Sequence, residues 1–509
     1  MDFLNLSTPQ QHDYNDPTVE RDVARLQHWL TNLPLMDVVE TVRLVISALD
    51  ALNEQKLDAG LRFQFMEVYR ATAQRLFVTI DPLHLRQLAL SKTQRQDAIK
   101  GIEHLFNSMA GGYKLLVTRA CNSSAAGKPD PLLGASINRA LEQLGFSLLD
   151  SFRFYSEVRP RLVAESHQLY RLARHNGLLD SCVDDEDSPG VTIAGLYQAS
   201  MLLSLADPFR LAEGEVGLLF DVLTQHAQLC RIIPGSDWAG SGEGLFLIDL
   251  DSDALPVPCT SLRAPVAARE AYLLDATAAL AAVRERLTKT PAKVRMQSPE
   301  AMVLRRLLPE TATGAEKRRE QRNPDSRWID LLHGVEGIHA YLARAVPQGP
   351  GSVAGQPTVI DSASCKVLDA SDSGMKLAWE GGGAGDARVG DLLGILEMRN
   401  ERETIQLAMI RSIRVYRKGG MEAGLQLMPG GLGAVSCYAP DEPEKVAVRA
   451  LFMPAIEDEK IAATLVVSKG FYVLGRRLLI DVGGREVRAR AGRCVFDSPV
   501  FDRFEFSAE

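Results

Sequence analysis

The sequence predicts an α+β chain: a mostly α-helical N-terminal domain, then an antiparallel β-barrel, then a β-rich C-terminal extension. Three observations carry this expectation. Apolar residues recur at spacings of three and four across residues 18–295. Beyond about residue 355 that period disappears and short alternating runs replace it. Between the two lies a polar and basic stretch, TATGAEKRREQRNPDSR, with few apolar residues, which reads as a linker.

Taken in order, residues 1–17 are polar, hold two prolines and read as a disordered tail. Asp37 and Glu40 offer a capping-box-like start, and Val38, Val42, Val45, Leu49 and Leu52 follow at helical spacing. Leu61, Phe65, Val68, Tyr69, Ala73 and Leu76 make a second stripe. Leu141, Leu144, Leu148, Phe152 and Tyr155 make a third. Further helices are expected over 88–108, 160–175, 191–204, 214–231 and 266–288. Such stripes are the buried faces of helices. Polar breaks at 122–130 and 184–190 separate them, and no repeat of the 34- or 40-residue kind is present. Gly244–Leu250 alternates and reads as a strand in a small hairpin on the helical body.

Residues 296–326 are assigned to the linker and its basic segment, and 327–440 to the barrel. Barrel strands are expected at Met375–Trp379, Leu392–Met398, Ile405–Tyr416 and Ala423–Met428, with turns at 381–386 and 417–420. Residues 441–509 continue the pattern, as part of the same barrel or as a second small one.

Composition narrows the function. A formal net charge of −8 makes the surface as a whole repel nucleic acid and anionic membranes, so an anion site needs a local basic cluster. Seven cysteines are scattered without a CxxC pair, which fits a reduced cytosol rather than a disulfide framework. Nine histidines show neither HExxH nor zinc-finger spacing, so no metal is assigned. The N-terminus lacks a basic and an apolar region of the secretory kind, and no apolar run is long enough to span a membrane. The expected localisation is cytoplasmic.

Two short motifs carry chemistry. Lys317-Arg318-Arg319-Glu320-Gln321-Arg322 places Arg318 and Arg322 at RxxxR spacing, and Asp369-Ala370-Ser371-Asp372-Ser373-Gly374 fits DxSxxG. Each is weak alone, since Asp, Ser and Gly are also turn residues. In this order, before and at the start of a β-rich region, they resemble the PilZ domain family of receptors for the bacterial second messenger cyclic di-GMP. The resemblance covers roughly 317–436. It implies a six-stranded antiparallel barrel with an arginine-bearing segment that wraps the ligand. By resemblance, Arg318 and Arg322 grip guanine edges or phosphates through their planar forks. Asp369 accepts from guanine N1–H and N2–H₂, Ser371 bonds the same base or a phosphate, and Gly374 allows close backbone approach. Lys317 and Arg319 are secondary phosphate contacts. One departure from the family is the length between the motifs. WIDLLHGVEGIHAYLARAV, with Leu331, Val335, Ile338 and Leu342 at helical spacing, predicts an inserted helix or a strand-plus-helix excursion that puts the ligand geometry in question.

Other signals have plainer readings. The run EGGGAGD (380–386) lies between strands and lacks the following helix that a phosphate loop needs, so it is a hairpin turn. Gly127-Lys128 lacks the rest of a P-loop. Asp249, Asp251 and Asp253 lack the glycine and terminal glutamate of a calcium loop. His333 and His339 read as solvated or core residues. Few aromatics interleave the basic residues, so no nucleic-acid partner is assigned. No nucleophile elbow is present, and no enzyme activity is assigned.

The resulting expectation is a cyclic di-GMP-binding sensor or adaptor without cofactor. Ligand pins the arginine segment against Asp369 and Ser371 and changes how the helical domain sits on the barrel. The helical domain then presents or hides a face for a protein partner, and the resemblance implies motility, pilus or biofilm control as the output. The alternative is a ligand-independent PilZ-fold scaffold. A homodimer through exposed edge strands is left open.

Overall fold

The computed structural model describes residues 4–14, 16–34, 36–124, 130–184, 190–237, 242–261, 270–291, 298–307, 322–344, 362–379, 387–399, 402–440, 447–456 and 461–509. The chain divides into two compact units, one built on residues 1–208 and 213–317, the other on 209–212 and 318–509.

The first unit is helical. It holds α1 (Val23–Thr31), α2 (Val38–Glu54), α3 (Ala59–Thr79), α4 (Pro82–Gln87), α5 (Lys92–Ser124), α6 (Leu133–Arg153), α7 (Leu162–His175), α8 (Ile193–Leu205), α9 (Glu215–Ala227), α10 (Thr277–Lys289) and α11 (Pro299–Leu307). Asp22, Asp37, Asp58 and Asp81 cap the first four by accepting backbone N–H groups that the helix leaves unpaired. The long α5 lies at the centre, packed against α2, α3 and α6. It begins close to the expected position but runs to Ser124, past the expected end at 108, because Tyr113, Leu116, Val117 and Ala120 extend its buried stripe.

The helical unit differs from the expected one at four points. The helical unit also holds a four-stranded antiparallel sheet, order β1-β4-β2-β3, from β1 (Arg231–Pro234), β2 (Leu245–Asp249), β3 (Val257–Pro258) and β4 (Ala271–Asp275). The helix expected over 266–288 is therefore β4 followed by α10; five apolar-rich residues cannot be told from a helical turn by period alone, and pairing with β1 and β2 decides. The segment assigned to the linker at 296–326 contributes α11, whose Ala301, Val303 and Leu304 are buried and which packs on α9 and α10. The expected tail is also tied down. Asn5 donates its N–H to Gln168 at 2.6 Å and Ser7 to Glu165 at 2.9 Å, so buried Glu165 recruits the N-terminal backbone as donors.

The second unit begins its regular structure at β5 (Asn323–Pro324), followed by β6 (Trp328–His333), α12 (Gly334–Arg344), β7 (Ser362–Ala370), β8 (Gly374–Trp379), β9 (Leu392–Arg399), β10 (Arg402–Val415) and β11 (Met421–Met428). Strands β6, β9, β10, β11, β8 and β7 pair in that cycle, with β7 returning to β6, so six antiparallel strands close a barrel. Its core alternates inward: Met375, Leu377 and Trp379 on β8, Met421, Ala423 and Leu425 on β11. Gly419 and Gly420, both at positive φ, turn β10 into β11, where RKGG predicts a turn. The glycine run at 380–386 lies outside the described residues.

The last strands are β12 (Gly433–Tyr438), β13 (Val448–Met453), β14 (Thr464–Ser468), β15 (Arg477–Val482), β16 (Arg485–Asp497) and β17 (Phe501–Ala508). They close a second barrel, order β12-β13-β14-β17-β16-β15. It starts at Gly433, before the boundary expected at 441. Helix α12 lies in a core shared by the two barrels: Val335 and Ile338 cluster with Leu392 and Leu407 of the first and with Leu451, Val466 and Phe501 of the second.

Candidate functional site

The site grows out of one antiparallel ladder. Residues 323–333 run along β7 in two pieces. Trp328–Leu332 pair with Lys366–Ser362, and Asn323 and Pro324 pair with Ala370 and Asp369. The offset between the pieces is absorbed at 325–327, where the Asp325 N–H bonds the Leu368 carbonyl at 3.0 Å and the Val367 N–H bonds the Arg327 carbonyl at 2.9 Å. Arg322, one residue before this ladder, is delivered to the far end of β7. Its Nη1 donates to Asp369 Oδ1 at 2.7 Å although 47 residues separate them.

The long insertion therefore leaves this meeting intact. It is a strand plus a helix: β6 is part of the ladder itself, and α12 follows it at the end opposite Arg322. Backbone pairing fixes the near end, so the length of the distant connection does not enter.

The DxSxxG residues form the turn from β7 to β8. The Ser371 N–H donates to the Gly374 carbonyl at 2.8 Å, and its hydroxyl lies 3.3 Å from the same oxygen. Gly374 is buried, and its φ lies outside the left-handed range, so the demand for glycine here is steric. A Cβ would lie 3.0 Å from Arg322 Nη2 and 3.1 Å from the Leu425 carbonyl. Arg322, Asp369, Ser371 and Gly374 thus make one cluster. Arg318, Lys317 and Arg319 lie outside the described residues.

The arrangement holds further charge that motif reading does not single out. Lys376 stands opposite Asp369 in the β7–β8 register, and its ammonium meets Glu422 of β11 at 2.5 Å. Burial pushes the Glu422 carboxyl up, but the contacts with Lys376 and Tyr416 outweigh it and hold it below the usual carboxylate range. Arg414 stands opposite Glu422 on β10. The sequence signal for Lys376 was its place two residues after Gly374, on the outward phase of an alternating strand. Arg322 and Asp369 remain 24% and 29% exposed at their side chains, which leaves the pair accessible for exchange with a solute.

The cluster pairs a planar guanidinium fork with a carboxylate at the surface of the barrel, beside a glycine where even a Cβ is crowded. The guanidinium donates charge-assisted hydrogen bonds to phosphate oxygens or to the O6 and N7 of a purine, and the carboxylate accepts from the N–H edge of a purine. Elsewhere in the unit, His333 is engaged with Asp391 at 3.0 Å. All seven cysteines carry free thiols. Among the described residues, no helix is long and apolar enough to cross a membrane.

Comparison with known proteins gives two family matches. Residues 24–235 match a family described as the N-terminal domain of the cyclic-di-GMP receptor FimW, and residues 434–508 match one described as the FimW C-terminal β-barrel domain. These spans leave the barrel with Arg322 and Asp369 uncovered. The chain is also 24% identical over 584 aligned residues to a Pseudomonas aeruginosa protein named cyclic-di-GMP receptor FimW, an alignment that covers 99% of this chain and 94% of that protein. No solved structure matches.

Proposed function

We propose that the chain is a cyclic di-GMP receptor of the FimW family, and that its ligand site is the PilZ-type cluster of Arg322, Asp369, Ser371 and Gly374. The observation that carries this reading is the Arg322–Asp369 pair at 2.7 Å beside the Gly374 turn. The contact between Arg322 of the one motif and Asp369 of the other, across 47 positions of sequence, supports this reading. The flanking family matches and the full-length relative support the same ligand.

The pair works by exchange. A guanine presents N1–H and N2–H₂ to Asp369 and O6 and N7 to an arginine fork. Asp369 trades the guanidinium for the base edge, and Arg322 is released to the other purine edge or to a phosphate. One ion pair is given up and two sets of charge-assisted contacts with the ligand are made, and the second arginine, Arg318, adds to that surplus. Lys317, Arg319 and Lys376 add positive charge near the phosphates. Arg322 lies within a few residues of the division between the two units in sequence, so occupancy there is the event the helical unit would sense. The helical unit is the part that reports occupancy to a protein partner in the cytoplasm, and the protein acts as an adaptor rather than an enzyme.

A ligand-independent scaffold draws on the same pair, since Asp369 already satisfies Arg322 without ligand. Calorimetric titration of cyclic di-GMP decides between them. Wild type binds, and Arg322→Ala and Asp369→Ala each lose about ten- to hundredfold in affinity, corresponding to roughly 1.5–3 kcal/mol per charged hydrogen bond. Absence of heat with the wild type at high ligand concentration sinks the receptor reading and leaves the scaffold.

A further inference from the structure

The second barrel carries a loop that its own fold does not explain. Gly470 and Gly475, both at positive φ, bracket Phe471-Tyr472-Val473-Leu474. The loop is firmly held. Tyr472 donates its hydroxyl to the Gly492 carbonyl at 2.9 Å and lies against the Phe504 ring at 4.8 Å. The Gly475 N–H bonds the Ala491 carbonyl at 2.9 Å, and Arg476 bonds the Phe471 carbonyl at 2.6 Å. Yet this braced loop presents Val473 and Leu474 to solvent at 49% and 70% exposure. A rigid pair of exposed apolar side chains marks a contact surface rather than incidental exposure.

The surroundings identify what it contacts. Between Lys469 and Arg493 the sequence holds seven Lys or Arg against two Asp or Glu, in a chain of net charge −8. Arg477, at the loop's end, stands directly opposite Arg490, and Arg488 stands opposite Leu479 on the same outward face. Like charges facing each other across a ladder are destabilising, so the fold gains nothing from this pairing. Arg490 is met by Glu509 at 2.9 Å, Arg493 by Glu505 at 2.8 Å, and Lys469 by Asp497 and Asp502; Arg477 and Arg488 make no ion pair among the described residues and carry the unbalanced charge.

We propose that Val473 and Leu474, flanked by the arginines of β15 and β16, dock this barrel on an anionic phospholipid surface. The two apolar side chains enter the headgroup–acyl boundary and the arginines meet lipid phosphates, the two attractions that peripheral docking combines. A nucleic acid has no use for the protruding valine and leucine. The local positive charge also answers the repulsion expected from the chain as a whole.

The test is flotation of the full-length protein with vesicles of mixed phosphatidylglycerol and phosphatidylcholine, and with phosphatidylcholine alone, at low and high salt. Wild type partitions onto the anionic vesicles only, and salt weakens it. The double variants Val473→Ser with Leu474→Ser, and Arg477→Glu with Arg488→Glu, each lower the partition about tenfold or more. All four positions are exposed, so circular dichroism and thermal melts stay as in wild type. The proposal is overturned if wild type stays with the soluble fraction at low salt, if it binds both vesicle types equally, or if the serine variant partitions like wild type.

Discussion

Arg322 and Asp369 show how much one ladder decides at the scale of single residues. The guanidinium reaches its carboxylate because Asn323 and Pro324 are paired to the end of β7, and Gly374 leaves the space it occupies. Two outcomes follow from that crowding. Gly374→Ala places a methyl group 3.1 Å from the Leu425 carbonyl, which is backbone and yields little. It should cost about 1–3 kcal/mol in urea unfolding, and it should weaken cyclic di-GMP binding by displacing Arg322. Arg322→Lys keeps the charge but loses the fork. Its unfolding midpoint should stay near wild type while ligand affinity falls about tenfold. Equal losses in both measurements would assign Arg322 to structure alone.

At the scale of elements, α7 is the instructive case. Its N-cap residue, Arg161, sits at φ 68° and caps nothing with its side chain. Asp253, from the segment after β2, performs the task from a distance, accepting from the Arg161 N–H at 2.6 Å and the Ala164 N–H at 2.9 Å. The aspartates of DLDSD thus have structural partners: Asp251 meets Arg171 at 2.9 Å, and Asp249 accepts from the Asp251 N–H at 3.1 Å. Asp253→Ala should cost about 1–2 kcal/mol, the value of an N-cap, read as a shift in the urea midpoint. The α7–α8 contact also carries a pH signature. His167 bonds the Tyr197 hydroxyl at 2.7 Å, and burial pushes its imidazole down to about 4. The unfolded histidine takes up a proton near pH 6.5, so between 6.5 and 4 the unfolded state binds more protons and stability falls as pH falls. His167→Gln should flatten that part of the stability–pH curve relative to wild type. An unchanged slope would place the titration elsewhere.

Across the whole molecule, the insertion between the motifs is what makes the second unit one body. Ile338 of α12 is fully buried among residues of both barrels, and Glu336 at its start meets Arg449 of β13 at 2.8 Å. Ile338→Ala should cost about 2–5 kcal/mol. Because the cavity opens onto both barrels, amide exchange should quicken in β9 and β13 together; acceleration in one barrel alone would show that the two unfold separately.

The residues alone specify the order of helical and β-rich regions, most strands of the first barrel and the candidates Arg322, Asp369, Ser371 and Gly374, but not Lys376 or Glu422 beside them. Those are local facts. The stripe through Val38, Val45 and Leu49 states which face is buried, the alternation in Met375–Trp379 states the strand phase, and DxSxxG states a turn. That Ala271–Asp275 is a strand, that α11 belongs to the helical unit, that a second barrel closes from Gly433, and that the insertion leaves Arg322 on Asp369 emerges from the assembled fold. A period of two says which side of a strand faces inward but is silent on which strand lies beside it. Partner choice and closure come from pairings between distant residues, whose free energy exists only once the whole set has assembled.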